Sequence, residues 1–362
     1  MNMPAAQLWT LLKGENLVQG ETPEIAHADS PWYVKLLLGI AGWWAAAFGL
    51  SFLMLVFTLF MKDAMAVLIL GSLLIGGAFL ILRQSGQAFL EHLALAISLA
   101  GQVLVILVIF NAFNAFSAAR FENEVYWLLA GLFQVILALA IPNFVHRVFC
   151  TWNAAIFFAV ALVLFDVPYM FSSVVMLLMA WLWLSEYSYP KHIQKIRAMA
   201  YGLTLALVSI ESFVLFVSKG AASSWGTNVD AESIMRPWMG EVLLGCVAFY
   251  VVWFLLRQNK QSMKQPLVIC SLFATLLLVV ASFEATGLTV GMMIVLLGFA
   301  GSNRVLIGIG VVSLLFYVSA YYYLLERTLL DKSLTLLAVG ILLLGVRWMM
   351  LRFVPKGEVN AR

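Results

Sequence analysis

Of the 362 residues, 64% are hydrophobic and only 11% are charged, and the mean hydropathy is +0.99. A soluble domain is roughly half apolar and a quarter charged, and no folded chain of this size can hide such a surplus from water, so lipid is the solvent that fits. The net charge of +3 leaves no broad basic face for nucleic acid.

The chain opens with a mixed segment, residues 1–35, carrying Lys13, Glu15, Glu21, Glu24 and Asp29. No apolar core follows a basic start there, so a cleavable signal peptide is not expected. A bilayer core about 30 Å thick needs about 20 apolar residues per helix, and backbone groups in lipid must be satisfied within the segment. Apolar runs of this kind stand at 36–61, 64–82, 88–110, 125–141, 148–165, 167–184, 198–217, 238–256, 267–283, 286–300, 305–323 and 334–353. They are long and lack the period-two alternation of barrel strands. The sequence therefore predicts an all-α polytopic transmembrane bundle over 36–353, with about twelve spans and a short tail at 354–362. Segment 286–300 is the shortest, and a re-entrant hairpin there lowers the count and moves the C-terminus to the other face.

Charge fixes the expected orientation. With twelve spans, one side holds fourteen of the 21 lysines and arginines, among them Arg83, Arg147, Lys191, Lys195, Arg197 and Arg304. The other holds six, and Arg347 lies within the last span. Positive residues mark the cytoplasmic side, which places both termini in the cytoplasm. No loop is long enough for a soluble domain.

Several blocks carry a resemblance. They are Pro31-Trp32-Tyr33-Val34-Lys35 with Gly42-Trp43, Phe89-Leu90-Glu91-His92-Leu93-Ala94 with Ser98-Leu99-Ala100-Gly101-Gln102, Gly301-Ser302-Asn303-Arg304, Tyr321-Tyr322-Tyr323, Thr328 to Ser333, and Arg347-Trp348. Spread over almost the whole chain, they resemble a bacterial multi-pass membrane family known as domain of unknown function 4401. The resemblance implies a helical inner-membrane protein and association with a second small membrane protein bearing a Gly-Asp-Tyr signature. It supplies no catalytic or binding residue.

Ionisable groups inside spans cost about 2.5–3.5 kcal/mol at a helix centre on insertion scales, so each needs a reason. Glu211, between Ser209 and Ser212, and Glu241 lie in the outer third of neighbouring spans. Converging there, they can share a proton or hold a cation; otherwise Glu241 accepts helix N-terminal N–H groups and Glu211 bonds a neighbouring helix. Glu91 and Arg347 both sit toward the inner leaflet, Arg347 about 9 Å from its helix end. They form a candidate ion pair, against simple snorkelling of Arg347 to the headgroups. Tyr321, Tyr322 and Tyr323 fit an aromatic belt. With Arg327 and Lys332 they are a candidate surface for a membrane partner.

Other polar residues read as packing. Gln102, Gln134 and Asn153 are expected to make ordinary interhelical hydrogen bonds. Cys150, Cys246 and Cys270 are read as small packed hydrophobes with no metal spacing. Trp43, Trp44, Trp181 and Trp183 are read as interfacial anchors, and Gly287, Gly291 and Gly298 as an internal helix crossing. The basic stretch Lys191–Arg197 can meet lipid headgroups. Four scattered histidines and the absence of HExxH, P-loop and GxSxG patterns point away from an enzyme, a metal and a cofactor. Two functions remain: a small-solute transporter or channel using Glu211 and Glu241, or a non-catalytic scaffold working with a second membrane protein.

Overall fold

The computed structural model describes residues 32–57, 63–84, 88–111, 123–165, 167, 170–218, 237–258, 266–283 and 285–324, with scattered positions at 9–15 and 330–345. Every element among the described residues is helical. In chain order they are α1 (Trp32–Phe57), α2 (Ala64–Gln84), α3 (Ala88–Asn111), α4 (Glu124–Ala140), α5 (Phe144–Leu164), α6 (Phe171–Ser185), α7 (Ile193–Ser218), α8 (Pro237–Gln258), α9 (Pro266–Ser282), α10 (Leu288–Ala300) and α11 (Arg304–Leu324). Two 3₁₀ turns, Glu186–Ser188 and Pro190–His192, join α6 to α7.

Seven of the described helices are long and apolar enough to cross a membrane, and Glu124–Ala140, Val268–Ser282 and Leu288–Ala300 are apolar but shorter. The described part is thus all-helical, with several helices apolar as in a membrane protein, and seven of them reach the length of a crossing, against the about twelve spans expected. The first eleven expected segments each coincide with a helix. Of the last, 334–353, the positions described are helical.

Helix boundaries depart from the apolar runs where polar residues cap or extend a helix. Asn143 caps α5 by accepting a hydrogen bond from the His146 amide at 3.0 Å, so α5 starts four residues before the apolar run at 148. Helix α7 likewise begins within the basic stretch, at Ile193. Asn123 caps α4 through the Val125 amide at 3.0 Å. Asn303 caps α11 through the amides of Val305 and Leu306 at 3.1 and 3.2 Å. Each cap satisfies a donor that the first helical turn would leave orphaned. Pro237 and Pro266 open α8 and α9, where the missing N–H costs nothing.

Helix α3 packs against both α1 and α2, and α4 pairs with α5. Helix α5 then packs on α7, which also meets α6, α10 and α11. The largest core surrounds α7: Met176, Met179, Leu207, Ile294, Leu297 and Leu306 are buried together there. The glycine stripe of α10 lies on α11. A Cβ on Gly287 would meet the Tyr317 ring at 2.7 Å, one on Gly291 would meet Leu314, and one on Gly298 would meet Ile307. Gly287 also has φ of +93°, a conformation that L side chains rarely adopt.

The turn between α9 and α10 is recessed. Ser282, Ala285, Thr286 and Gly287 are all buried. Gly287 is level with Tyr317, seven residues before the end of α11, or about 10 Å below it at 1.5 Å per residue. Helix α10 has 13 residues, about 20 Å, too short for a bilayer core about 30 Å thick.

Candidate functional site

Glu211 and Glu241 come together. Glu211 is 2% exposed and Glu241 4%, and both line one cavity of about 320 Å³. Helix α5 supplies Ile156, Ala159, Val160 and Val163 to its wall, and α6 supplies Phe171 and Ser172. Helix α7 contributes Ser209, Ile210, Glu211, Phe213 and Val214, α8 contributes Gly240, Glu241 and Leu244, and the recessed turn contributes Thr286. All these positions lie at one end of the bundle, because the helices alternate in direction.

The carboxylates are held but not fully satisfied. Ser172 stands close to Glu211 on the cavity wall. Ser282 and the Gly287 backbone N–H stand close to Glu241, so the first turn of short α10 lies beside that carboxylate, where its dipole favours negative charge. Glu241 Oε2 is buried with no partner. Behind the pair, Tyr317 of α11 is fully buried and donates its hydroxyl to the Val208 carbonyl at 3.1 Å. That bond fixes α11 against α7 beside Glu211.

A second polar cluster lies between α3 and α5, where Gln102 makes the expected interhelical contact with a partner, His146, that reading by apolar runs missed. Ser98, Gln102, His146 and Cys150 are at most 2% exposed. The Gln102 amide nitrogen lies 3.0 Å from His146 Nε2 and 3.2 Å from Ser98 Oγ. Ser98 Oγ lies 2.9 Å from the same ring nitrogen. Nε2 is then the acceptor, which assigns the ring proton to Nδ1, 3.4 Å from the Cys150 sulfur. The thiol in turn faces Gln102 Oε1 at 3.8 Å. Cys150 is therefore part of a network rather than a simple packed hydrophobe. His146 escaped because it precedes the apolar run of its helix. The usable signal was the i, i+4 spacing of Ser98 with Gln102 and of His146 with Cys150, which puts each pair on one helix face. Gln134 is buried with its Oε1 unpartnered.

At the opposite end of the bundle from the cavity, Arg197 Nε donates to Glu186 Oε1 at 2.8 Å, and a terminal nitrogen donates to the same oxygen. Glu186 is 2% exposed and the Arg197 side chain 43%, so the basic stretch has a buried partner. Tyr201 and Asn303 hydrogen-bond each other. Trp183 stacks edge-on against Tyr201 at 4.9 Å and donates to Thr204 at 3.3 Å. Trp183 is thus a core residue, not the expected interfacial anchor, because its helix turns it toward α7. Trp44 and Trp181 are exposed.

The remaining expected sites are not brought together by the described residues. Glu91 is half-buried in the first turn of α3, and Arg347 lies outside the described residues. Tyr321 and Tyr322 are half-buried, whereas Tyr323 is 81% exposed with its ring edge-on to Tyr322 at 5.7 Å. Arg327 and Lys332 lie outside the described residues. No group of three or more His, Cys, Asp or Glu side chains able to hold a metal occurs among the described residues.

The family described as domain of unknown function DUF4401 matches residues 31–353. The chain belongs to DUF4401. That match contains both Glu211 and Glu241 and the whole His146 network, so each feature lies within the DUF4401 domain itself. No curated protein and no solved structure matches the chain.

Proposed function

We propose that this DUF4401 chain is a carrier for a small solute, coupled to protons or another cation through Glu211 and Glu241. One observation carries the reading: two buried carboxylates from separate helices line a single cavity beside the N-terminus of the short helix α10. Short hydrophobic segments with half-helix termini at membrane depth are the pattern of transporter sites. Two negative charges in such a place need a proton or a counter-cation, and either can be exchanged.

In this reading α9 and α10 form a hairpin that enters and leaves from the same face, and ten other segments cross. Losing two crossings together preserves parity, so both termini stay on the cytoplasmic side of a bacterial inner membrane, in keeping with the excess of lysine and arginine there. The cavity then opens outward.

The test is a pH jump on proteoliposomes adsorbed to a solid-supported membrane. A transient current is expected with the full chain, and it disappears with the double variant Glu211→Gln/Glu241→Gln. The scaffold alternative predicts no current. It predicts instead a stoichiometric membrane partner in native lipid discs that is lost on substituting Tyr321–Tyr323.

A further inference from the structure

We infer that the Glu211–Glu241 cavity binds a small organic cation with an apolar body, such as a substituted amine or quaternary ammonium. This rests on the carrier reading of the same site and names its ligand chemistry.

Each alternative ligand meets a specific obstacle. An anion faces two carboxylates with no basic side chain among the residues lining the cavity. A neutral apolar molecule matches the walls of Ile156, Val160, Phe171, Phe213 and Leu244 but makes no use of the two buried carboxylates and leaves their compensation to protons alone. A bare divalent ion such as calcium asks for six to eight oxygen ligands. Here the lining offers two acidic side chains and the hydroxyls of Ser172, Ser209 and Thr286 on one part of a wall that is otherwise aliphatic and aromatic, which does not surround a bare ion with oxygen. Ser209 spends its hydrogen on the Leu205 carbonyl at 2.8 Å and accepts one from the Trp152 indole at 3.2 Å.

An organic cation satisfies both halves of the cavity. Its charge meets the carboxylates, and its body replaces the lost hydration with contact to the apolar walls. The unpartnered Glu241 Oε2, 96% of whose residue is withdrawn from solvent, is the atom left for that charge. The volume of about 320 Å³ lies at the lower end of the roughly 300–1,000 Å³ typical of small-molecule pockets, so the ligand is compact.

The probe is radiolabelled benzyltrimethylammonium, with neopentylbenzene as its uncharged isostere, on the full chain in lipid nanodiscs. Saturable binding of the cation is expected, at least tenfold weaker with Glu211→Gln or Glu241→Gln alone and absent with both. Neopentylbenzene should not displace it. Ala159→Trp, which fills the cavity from α5 and leaves both carboxylates in place, should also abolish binding. Equal competition by neopentylbenzene, or undiminished binding to the double variant, overturns the inference. Absent cation binding with an intact pH-jump current overturns the ligand class and leaves the carrier. Absence of both removes the carrier as well.

Discussion

Around His146, the imidazole, the Ser98 hydroxyl, the Gln102 amide and the Cys150 thiol satisfy one another. Around Glu211 and Glu241, equally deep burial ends at a cavity and an unpartnered oxygen. The first arrangement is closed: a buried polar group costs little when its partners are in place, and the loss of one partner strands the others. The second is open, and its unmet demand is what a ligand can supply. Burial of polar groups alone therefore does not mark a functional site in this protein. The discriminating feature is burial that stops short of satisfaction at the edge of a space.

Stability measurements separate the two. The largest loss is expected for His146→Ala, about 3 kcal/mol, from the void left in the core and the stranded partners, read as a lower melting temperature in detergent. Replacing Ser98, Gln102 and His146 together with apolar residues should recover much of that loss. A single variant as stable as the wild type would remove the contrast. Gly287→Ala follows at about 2 kcal/mol, since it combines an unfavourable φ with contact against Tyr317. It should also weaken cation binding, because the shift needed to relieve the Tyr317 contact moves the turn that stands beside Glu241. Glu186→Gln should cost about 1 kcal/mol, the half-exposed Arg197 being partly screened by solvent, with the difference shrinking in high salt. The smallest effect is expected for Glu211→Gln and Glu241→Gln, within about 1 kcal/mol of the wild type and on the stabilising side, even though the pH-jump current is lost. A large destabilisation by these two would place the pair with the closed network instead.

Helices were legible because the bilayer demands runs of a set length, and that demand is written locally. Glu211 and Glu241 were legible for the same reason: a carboxylate within an apolar run is conspicuous. Their sharing of one cavity was not, since it depends on how α5, α6, α7 and α8 close around the recessed turn, and no local period encodes that. His146 was hidden by the opposite error. Hydropathy measures apolar length, and its helix begins earlier, at an asparagine cap. Trp183 shows the limit once more, because a tryptophan near a helix end looks identical in sequence whether it faces lipid or the Tyr201 ring.

The recessed turn also has an electrical consequence. Where water fills the space above it, the insulating path through the protein shrinks from about 30 Å of bilayer core to the length of α10, about 20 Å. The membrane voltage then drops across that shorter distance, and the local field is about one and a half times steeper than in the surrounding lipid. At about 2.3 kcal/mol per elementary charge for each 100 mV, a charge leaving the carboxylates toward the far end of α10 would do nearly all its electrical work within 13 residues.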